Sequence, residues 1–388
     1  MFNFKKKKSL LEVGEVQKKK FTQKISFDFV ANLPIIEVEI AKKSYRFLFD
    51  TGALSVVPSR LVRELSLELL QEIEINDSQE KYSSAHLYTL PSLEVGELEF
   101  CDFVVVASDF SKELPLSCLG FDGIFGYNFL NSLVVSIDYT NQEITLSDTL
   151  PSVKNYVKMP LVFDGASGAK FEINLPFRNV LFGIDTGKND AISLSVLDES
   201  GAFSKKDYQY KETRGLFMSS FNATQEYLKE RSFLVKDFSI TKSIRVKKFP
   251  ISLSDTSHSL VGNDFLKNFD IVLDFRKKQL YLRKLHETIE KEFGDSFGFF
   301  MYWSEQEKLY ISALATGSVA HKAGVEIGDK VLAINELECY DFTKEDYCKM
   351  FLALNGSLAS YENKSQVELT IKRGTLIKRV LLKKISLL

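Results

Sequence analysis

Two carboxylates occupy the same three-residue setting. One is Asp50-Thr51-Gly52, within FLFDTGALSVV (Phe47–Val57). The other is Asp185-Thr186-Gly187, within VLFGIDTGKNDAISLS (Val180–Ser195). Each triplet follows an apolar run and leads into another. Alone, such a triplet is a hairpin turn, because glycine accepts positive φ and aspartate bonds its own backbone. A pair of them allows more. Two carboxyl groups about 3 Å apart cannot both ionise, so they share one proton and titrate together. The ionised acid can then take a proton from a bound water while the protonated acid polarises a carbonyl. A peptide bond is hydrolysed that way without a metal and without a covalent intermediate. Thr51 and Thr186 could hydrogen-bond across the pair. Gly52 and Gly187 leave room for backbone beside the carboxylates, and the flanking apolar runs tie each turn to a rigid core.

The elements that must position these turns repeat as well. GYNFLNSLVVSIDYTNQEITL (Gly126–Leu146) aligns with GNDFLKNFDIVLDFRKKQLYL (Gly262–Leu282), matching the glycines, Phe129-Leu130 with Phe265-Leu266, and Asp138 with Asp274. The offset of these segments is one residue from the offset of the two acids. Two motifs in one order at nearly one offset imply a tandem duplication of a unit the size of a small domain. Asp138 and Asp274 themselves read as strand-turn residues.

The 388 residues suggest two to three domains. The composition is that of a globular protein, and the 32 phenylalanines favour strands with aromatic core positions. A formal charge of −2 gives no sign of nucleic-acid binding, and no run approaches the length of a membrane span. The histidines (His86, His258, His286, His321) form no catalytic or metal-ligand pattern and read as surface or loop residues. Cys101, Cys118, Cys339 and Cys348 show no zinc-like spacing and read as small buried hydrophobes, with a Cys101–Cys118 disulfide as the alternative. No metal and no cofactor is expected.

Along the chain, residues 1–23 form a basic tail, disordered or weakly ordered up to residue 22. The tail lacks an apolar run of signal-peptide length, so the sequence as it stands reads as cytoplasmic, and as exported if a leader has been removed. Strand-like alternation starts at Lys24 and continues through IIEVEI and YRFLFD, with a hairpin at Ala41–Lys43. Pro58–Leu70 has helical spacing. KYSSAHLYTL (Lys81–Leu90) reads as an exposed hairpin or loop, followed by strands turning at Gly96. The second unit runs from about Lys170 to Arg283. Beyond Lys291 the pattern changes, with a helix over about Thr343–Leu354 opened by a Thr343/Asp346 capping box, then two closing strands.

FLFDTGALSVV with DGIFG (Asp122–Gly126) resembles the retropepsin-like aspartic proteases of the pepsin superfamily, and Asp185-Thr186-Gly187 with Leu260-Val261-Gly262 is similar to the same pair of signatures. The resemblance covers residues 25–285. It implies a mainly β fold with two retropepsin-like β-barrel lobes, residues 24–150 and 151–287, forming a bilobal acid protease in one chain. Asp50 and Asp185 would be the catalytic dyad, supported by Thr51, Gly52, Thr186 and Gly187, with Ala53 beside the substrate. A flap is implied at about Ser78–Leu90, with Tyr82 and Tyr88 as substrate contacts, and its counterpart at about Asp207–Ser219. Lys188 stands where Ala53 stands in the first unit.

SFGF followed by GSVAHKAGVEIGDKVLAIN resembles a bacterial PDZ domain over residues 291–388. That resemblance implies a loop, Phe297-Gly298-Phe299, whose amides hold the C-terminal carboxylate of a peptide that adds a strand to the sheet. Gly317, Gly324 and Gly328 fall at the family's tight turns. The combined expectation is an aspartic endopeptidase, monomeric, acting on peptide or protein substrates recruited by its PDZ domain. The alternatives are a catalytically degenerate peptide-binding scaffold, with Lys188 neutralising one carboxylate, and a homodimer pairing each lobe with its twin.

Overall fold

The LPIIEVEI strand (Leu33–Ile40) buries alternate residues at its end, and the KSYRFLFD strand (Lys43–Asp50) turns wholly inward over its last four. Period-2 burial of this kind forces one face into a core. Ala41 and Lys42 take φ of 50° and 63° and close the hairpin between them. The computed structural model describes residues 13–76, 82–109, 114–163, 168–199, 208–217, 226–254, 258–294, 296–354 and 364–384. Its architecture is mainly β, with nine-, six- and fourteen-stranded sheets.

The same pairing order occurs twice. Gly123–Gly126 runs parallel to Lys43–Asp50 and antiparallel to Val56–Val57, which itself runs parallel to Leu98–Ala107. Leu260–Val261 runs parallel to Asn179–Ile184 and antiparallel to Ile192–Ser195, which runs parallel to Arg245–Ser254. The six-stranded sheet joins the two regions: Val134–Asp138 pairs antiparallel with Phe269–Asp274, each continued by its own hairpin partner. In those hairpins Asp138 accepts from Asn141 N and Asp274 from Lys277 N, the turn roles expected of them. One apolar core runs through both regions. Behind Asp50 it is aromatic, with Phe125 5.2 Å from Phe100 and 4.9 Å from Phe129, edge to face. Such pairs contribute about 1 kcal/mol each beyond area burial.

Three local expectations change. The helix expected over Pro58–Leu70 is only Ser59–Glu64. Ser66 enters the left-handed region at φ 51°, and Leu69–Asn76 pairs as a strand with Tyr82–Val95. Cross-strand pairing outweighs the helical spacing there. The expected tail is ordered in its described part: Glu15–Val16 pairs with Phe100 and Cys101, and Thr22–Ser26 completes the six-stranded sheet. Residues 1–12 lie outside the described residues. The cysteines are not all buried and free: Cys118 is disulfide-bonded to Cys348 rather than to Cys101, Cys101 is free but half-buried, and only Cys339 is free and fully buried as expected. Cys101 lies in a strand opposite Ser92, while Cys118 ends a short 3₁₀ turn beside the Lys344–Ala353 helix.

The C-terminal residues extend the largest sheet. Tyr210–Phe217 pairs on one side with Glu226–Ser239 and on the other with Lys308–Ala315. The Thr343/Asp346 capping box is present, Asp346 N donating to Thr343 Oγ1 at 3.2 Å and Thr343 N to Asp346 Oδ2 at 3.1 Å. Gly317, Gly324 and Gly328 all take positive φ.

Candidate active site

Asp50 ends its strand and Asp185 follows directly on the strand Asn179–Ile184. Each turn is held from below by a glycine strand. Gly126 lies opposite Asp50, and a side chain there would collide with the backbone at Ala53–Ser55. Gly262 lies against the Lys188 and Asp190 carbonyls in the same way. These are positions where only glycine lets two backbones approach so closely. Tyr127 N donates to Ala53 O at 2.9 Å, and Asn263 N to Lys188 O at 2.8 Å, so both turns rest on equivalent bonds.

The two turns are cross-bonded. Thr51 N donates to Thr186 Oγ1 at 3.0 Å, and Thr186 N to Thr51 Oγ1 at 3.2 Å. Each hydroxyl donates onward to the opposite strand, Thr51 to Ile184 O at 2.6 Å and Thr186 to Phe49 O at 2.7 Å. Both threonines are fully buried. Thr186→Ala would strand Thr51 N and Phe49 O. The expected loss is about 2 kcal/mol or more of stability, read as a lower urea midpoint at unchanged slope. An unshifted midpoint would mean that the cross-bonds do not hold the halves together.

This register sets the Asp185 carboxyl against Gly52 of the first turn and the Asp50 carboxyl against Gly187 of the second, so the two acids are brought together. Gly52 lies so close to the partner acid that an added methyl would sit 2.9 Å from Asp185 Cγ. Asp50 Oδ1 accepts from Gly52 N at 2.7 Å and Ala53 N at 3.1 Å, whereas Asp185 Oδ1 accepts from Gly187 N at 2.9 Å. Burial raises the pKa of both acids. Asp185 is raised further, because the Asp50 charge adds to the desolvation. Amide donors favour an ionised carboxylate, and Asp50 has more of them. The unequal amide donors favour an ionised Asp50 over an ionised Asp185.

Lys188 does not lie across the pair. Its ammonium bonds Asp190 Oδ1 at 2.7 Å, and its charge lowers the Asp185 pKa only against the larger effect of burial. Ala53 is half-buried at the edge of the first turn. Tyr88 packs on the core near the base of the hairpin Leu69–Asn76/Tyr82–Val95. Tyr82 is placed by backbone register, opposite Asn76. The remainder of the flap segments, 78–81, 207 and 218–219, lies outside the described residues. Phe297, Gly298 and Phe299 are buried, and the Gly298 amide donates to Ser296 Oγ at 3.0 Å.

Two positioning residues escaped the sequence reading. Asn263 donates to Thr186 O at 2.7 Å and accepts from Tyr139 Oη at 2.7 Å. Asn128 accepts from Ser55 N at 2.8 Å and donates to Val104 O at 2.9 Å. Both stand just after the repeated glycines, and a polar residue inside a repeated apolar motif was the available signal.

Residues 36–129 match the family model described as aspartyl protease. The match takes in Asp50-Thr51-Gly52 and the Gly123–Gly126 strand, and it ends before Asp185. No curated protein shows a significant match to the chain. Among the described residues, no helix is long and apolar enough to cross a membrane.

Proposed function

We propose that the chain is an aspartic endopeptidase whose dyad is Asp50 and Asp185, contributed by two retropepsin-like lobes of one monomeric chain, residues 24–150 and 151–287. Residues 291–388 would be its PDZ-type module. The observation that carries the reading is the pair of carboxyl groups brought together on two reciprocally bonded Asp-Thr-Gly turns. The repeated pairing order supports the two-lobe reading, and the match over residues 36–129 supports aspartic-protease chemistry.

Asp50, ionised, takes a proton from the attacking water. Asp185 gives its proton to the carbonyl oxygen of the peptide bond, so a tetrahedral diol forms with no net charge added to the site. Asp50 then returns its proton to the leaving nitrogen, and Asp185 recovers one from the collapsing diol. Thr51 and Thr186 hold the two turns together, and Gly52 and Gly187 leave room for each acid against the opposite turn. The Lys188–Asp190 pair favours this reading over a degenerate scaffold, since the ammonium has its own counter-ion.

The test is cleavage of an unfolded protein across acidic and neutral pH. The rate should follow a bell: the acid limb reports ionisation of the first carboxyl, the alkaline limb loss of the shared proton. Lys188 favours ionised Asp185, so Lys188→Ala should raise the second pKa and move the alkaline limb to higher pH. A limb that stays in place or moves down would remove Lys188 from the electrostatics of the pair. Absence of cleavage at every pH would favour the scaffold reading.

A further inference from the structure

The strand Phe299–Ser304 pairs with Lys308–Ala315 along one edge, and the helix Lys344–Ala353 packs against the same strand. Tyr302 of the strand and Tyr347 of the helix meet with ring centroids 5.9 Å apart. The segment Leu114–Leu119, from the first Asp-Thr-Gly region, touches both walls. Tyr302 Oη donates to Leu114 O at 3.1 Å, and Cys118 is disulfide-bonded to Cys348 of the helix. Leu114, Cys118 and Leu119 are buried in one apolar cluster with Met301, Trp303 and Phe351. We propose that the groove formed by this strand and helix is an internal docking site for Leu114–Leu119, and that the Cys118–Cys348 bond is its thiol-reducible latch.

Three further observations carry this. First, the groove's occupant is identified: a Leu-Pro-Leu-Ser-Cys-Leu segment of the same chain, held through a backbone carbonyl and apolar side chains. Second, the fit is incomplete. Among the described residues only three buried side-chain polar atoms lack a partner, and two of them, Ser117 Oγ and Tyr347 Oη, belong to this segment and this helix. An interface with unpaired buried polar atoms gives up stabilisation that a core does not. Third, the segment leads within a few residues into Gly123–Gly126, the strand beneath Asp50, so the latch joins the groove to the floor of the candidate site.

Opening the latch takes two electrons from a dithiol. One of its thiolates attacks a sulfur of the Cys118–Cys348 bond and expels the other as a thiolate. Its second thiol then resolves the mixed disulfide, leaving two cysteine thiols and an oxidised dithiol. The freed groove accepts an apolar peptide in place of Leu114–Leu119. That the displacing partner is a peptide rests on the PDZ-type reading of residues 291–388; the latch itself rests on contacts alone.

The test uses the full chain, air-oxidised and dithiothreitol-reduced, with no measurement of cleavage. Amide hydrogen exchange in 114–119, 299–304 and 344–353 should rise at least about tenfold on reduction, with 33–50 unchanged. A fluorescent Leu-Pro-Leu-Ser-Ser-Leu peptide should bind the reduced chain and bind the oxidised one at least about tenfold more weakly, since the tethered segment competes at high effective concentration. The Cys118→Ser/Cys348→Ser double variant should behave as the reduced chain without reductant. Four results would overturn the latch: alkylation of Cys118 and Cys348 in the oxidised chain, equal exchange in both states, a rise in exchange across the whole chain, or measurable peptide binding of equal strength in both states. The third would make the bond a staple of the fold. Exchange that rises as expected with no peptide binding to either state would leave the latch standing and overturn the PDZ-type reading.

Discussion

Asp50→Asn and Asp185→Asn each lower kcat/KM for peptide hydrolysis by about 10³-fold or more, while the far-ultraviolet signature and urea midpoint stay close to those of the parent. Asparagine keeps the shape of the side chain and one carbonyl oxygen, so the bonds from Gly52 N and Ala53 N to position 50, or from Gly187 N to position 185, can persist. What each variant loses is different. Without Asp50 no base takes the proton of the water. Without Asp185 no acid delivers a proton to the carbonyl oxygen. Because the two acids act as one unit, the double variant should cost about as much as either single one, which is the non-additivity expected of a shared proton. A single variant within about tenfold of the parent would end the dyad reading.

Gly187→Ala should cost about 1–3 kcal/mol of stability and lower the rate by about 10²-fold or more, because the new methyl is driven into the Asp50 carboxylate. Asp50 cannot step aside without breaking its bonds to the Gly52 and Ala53 amides, and the strand behind it is fixed by the aromatic core. The carboxylate therefore shifts or rotates away from Asp185. Gly294→Ala is the control: a methyl there meets nothing within 4 Å and should change neither quantity. Stability and rate for Gly187→Ala equal to those of the control would mean that the two carboxyl groups are not in contact in solution.

Local patterns account for what was readable beforehand. Alternation in Leu33–Ile40 and Lys43–Asp50, the Ala41–Lys42 turn, the Thr343/Asp346 cap and the turn roles of Asp138 and Asp274 are all decided within a few residues. The Asp-Thr-Gly turns were legible for the same reason, and their repetition proposed the pair before any contact was known. The end of the Pro58–Leu70 segment, from Leu69, is a strand and not a helix because it pairs with Tyr82–Val95, a partner that local periodicity does not reveal.

By itself, then, the sequence determined the strand-rich character and the two repeated Asp-Thr-Gly turns, since turn chemistry and period-2 burial are short-range. The tertiary structure decided the rest. It gave the two acids unequal numbers of amide donors. It turned Lys188 toward Asp190 and brought Asn128 and Asn263 under the turns. It joined Cys118 to Cys348 across 230 positions. Each of these depends on groups distant in the chain or on the direction a side chain takes once packed, and neither is encoded in local spacing.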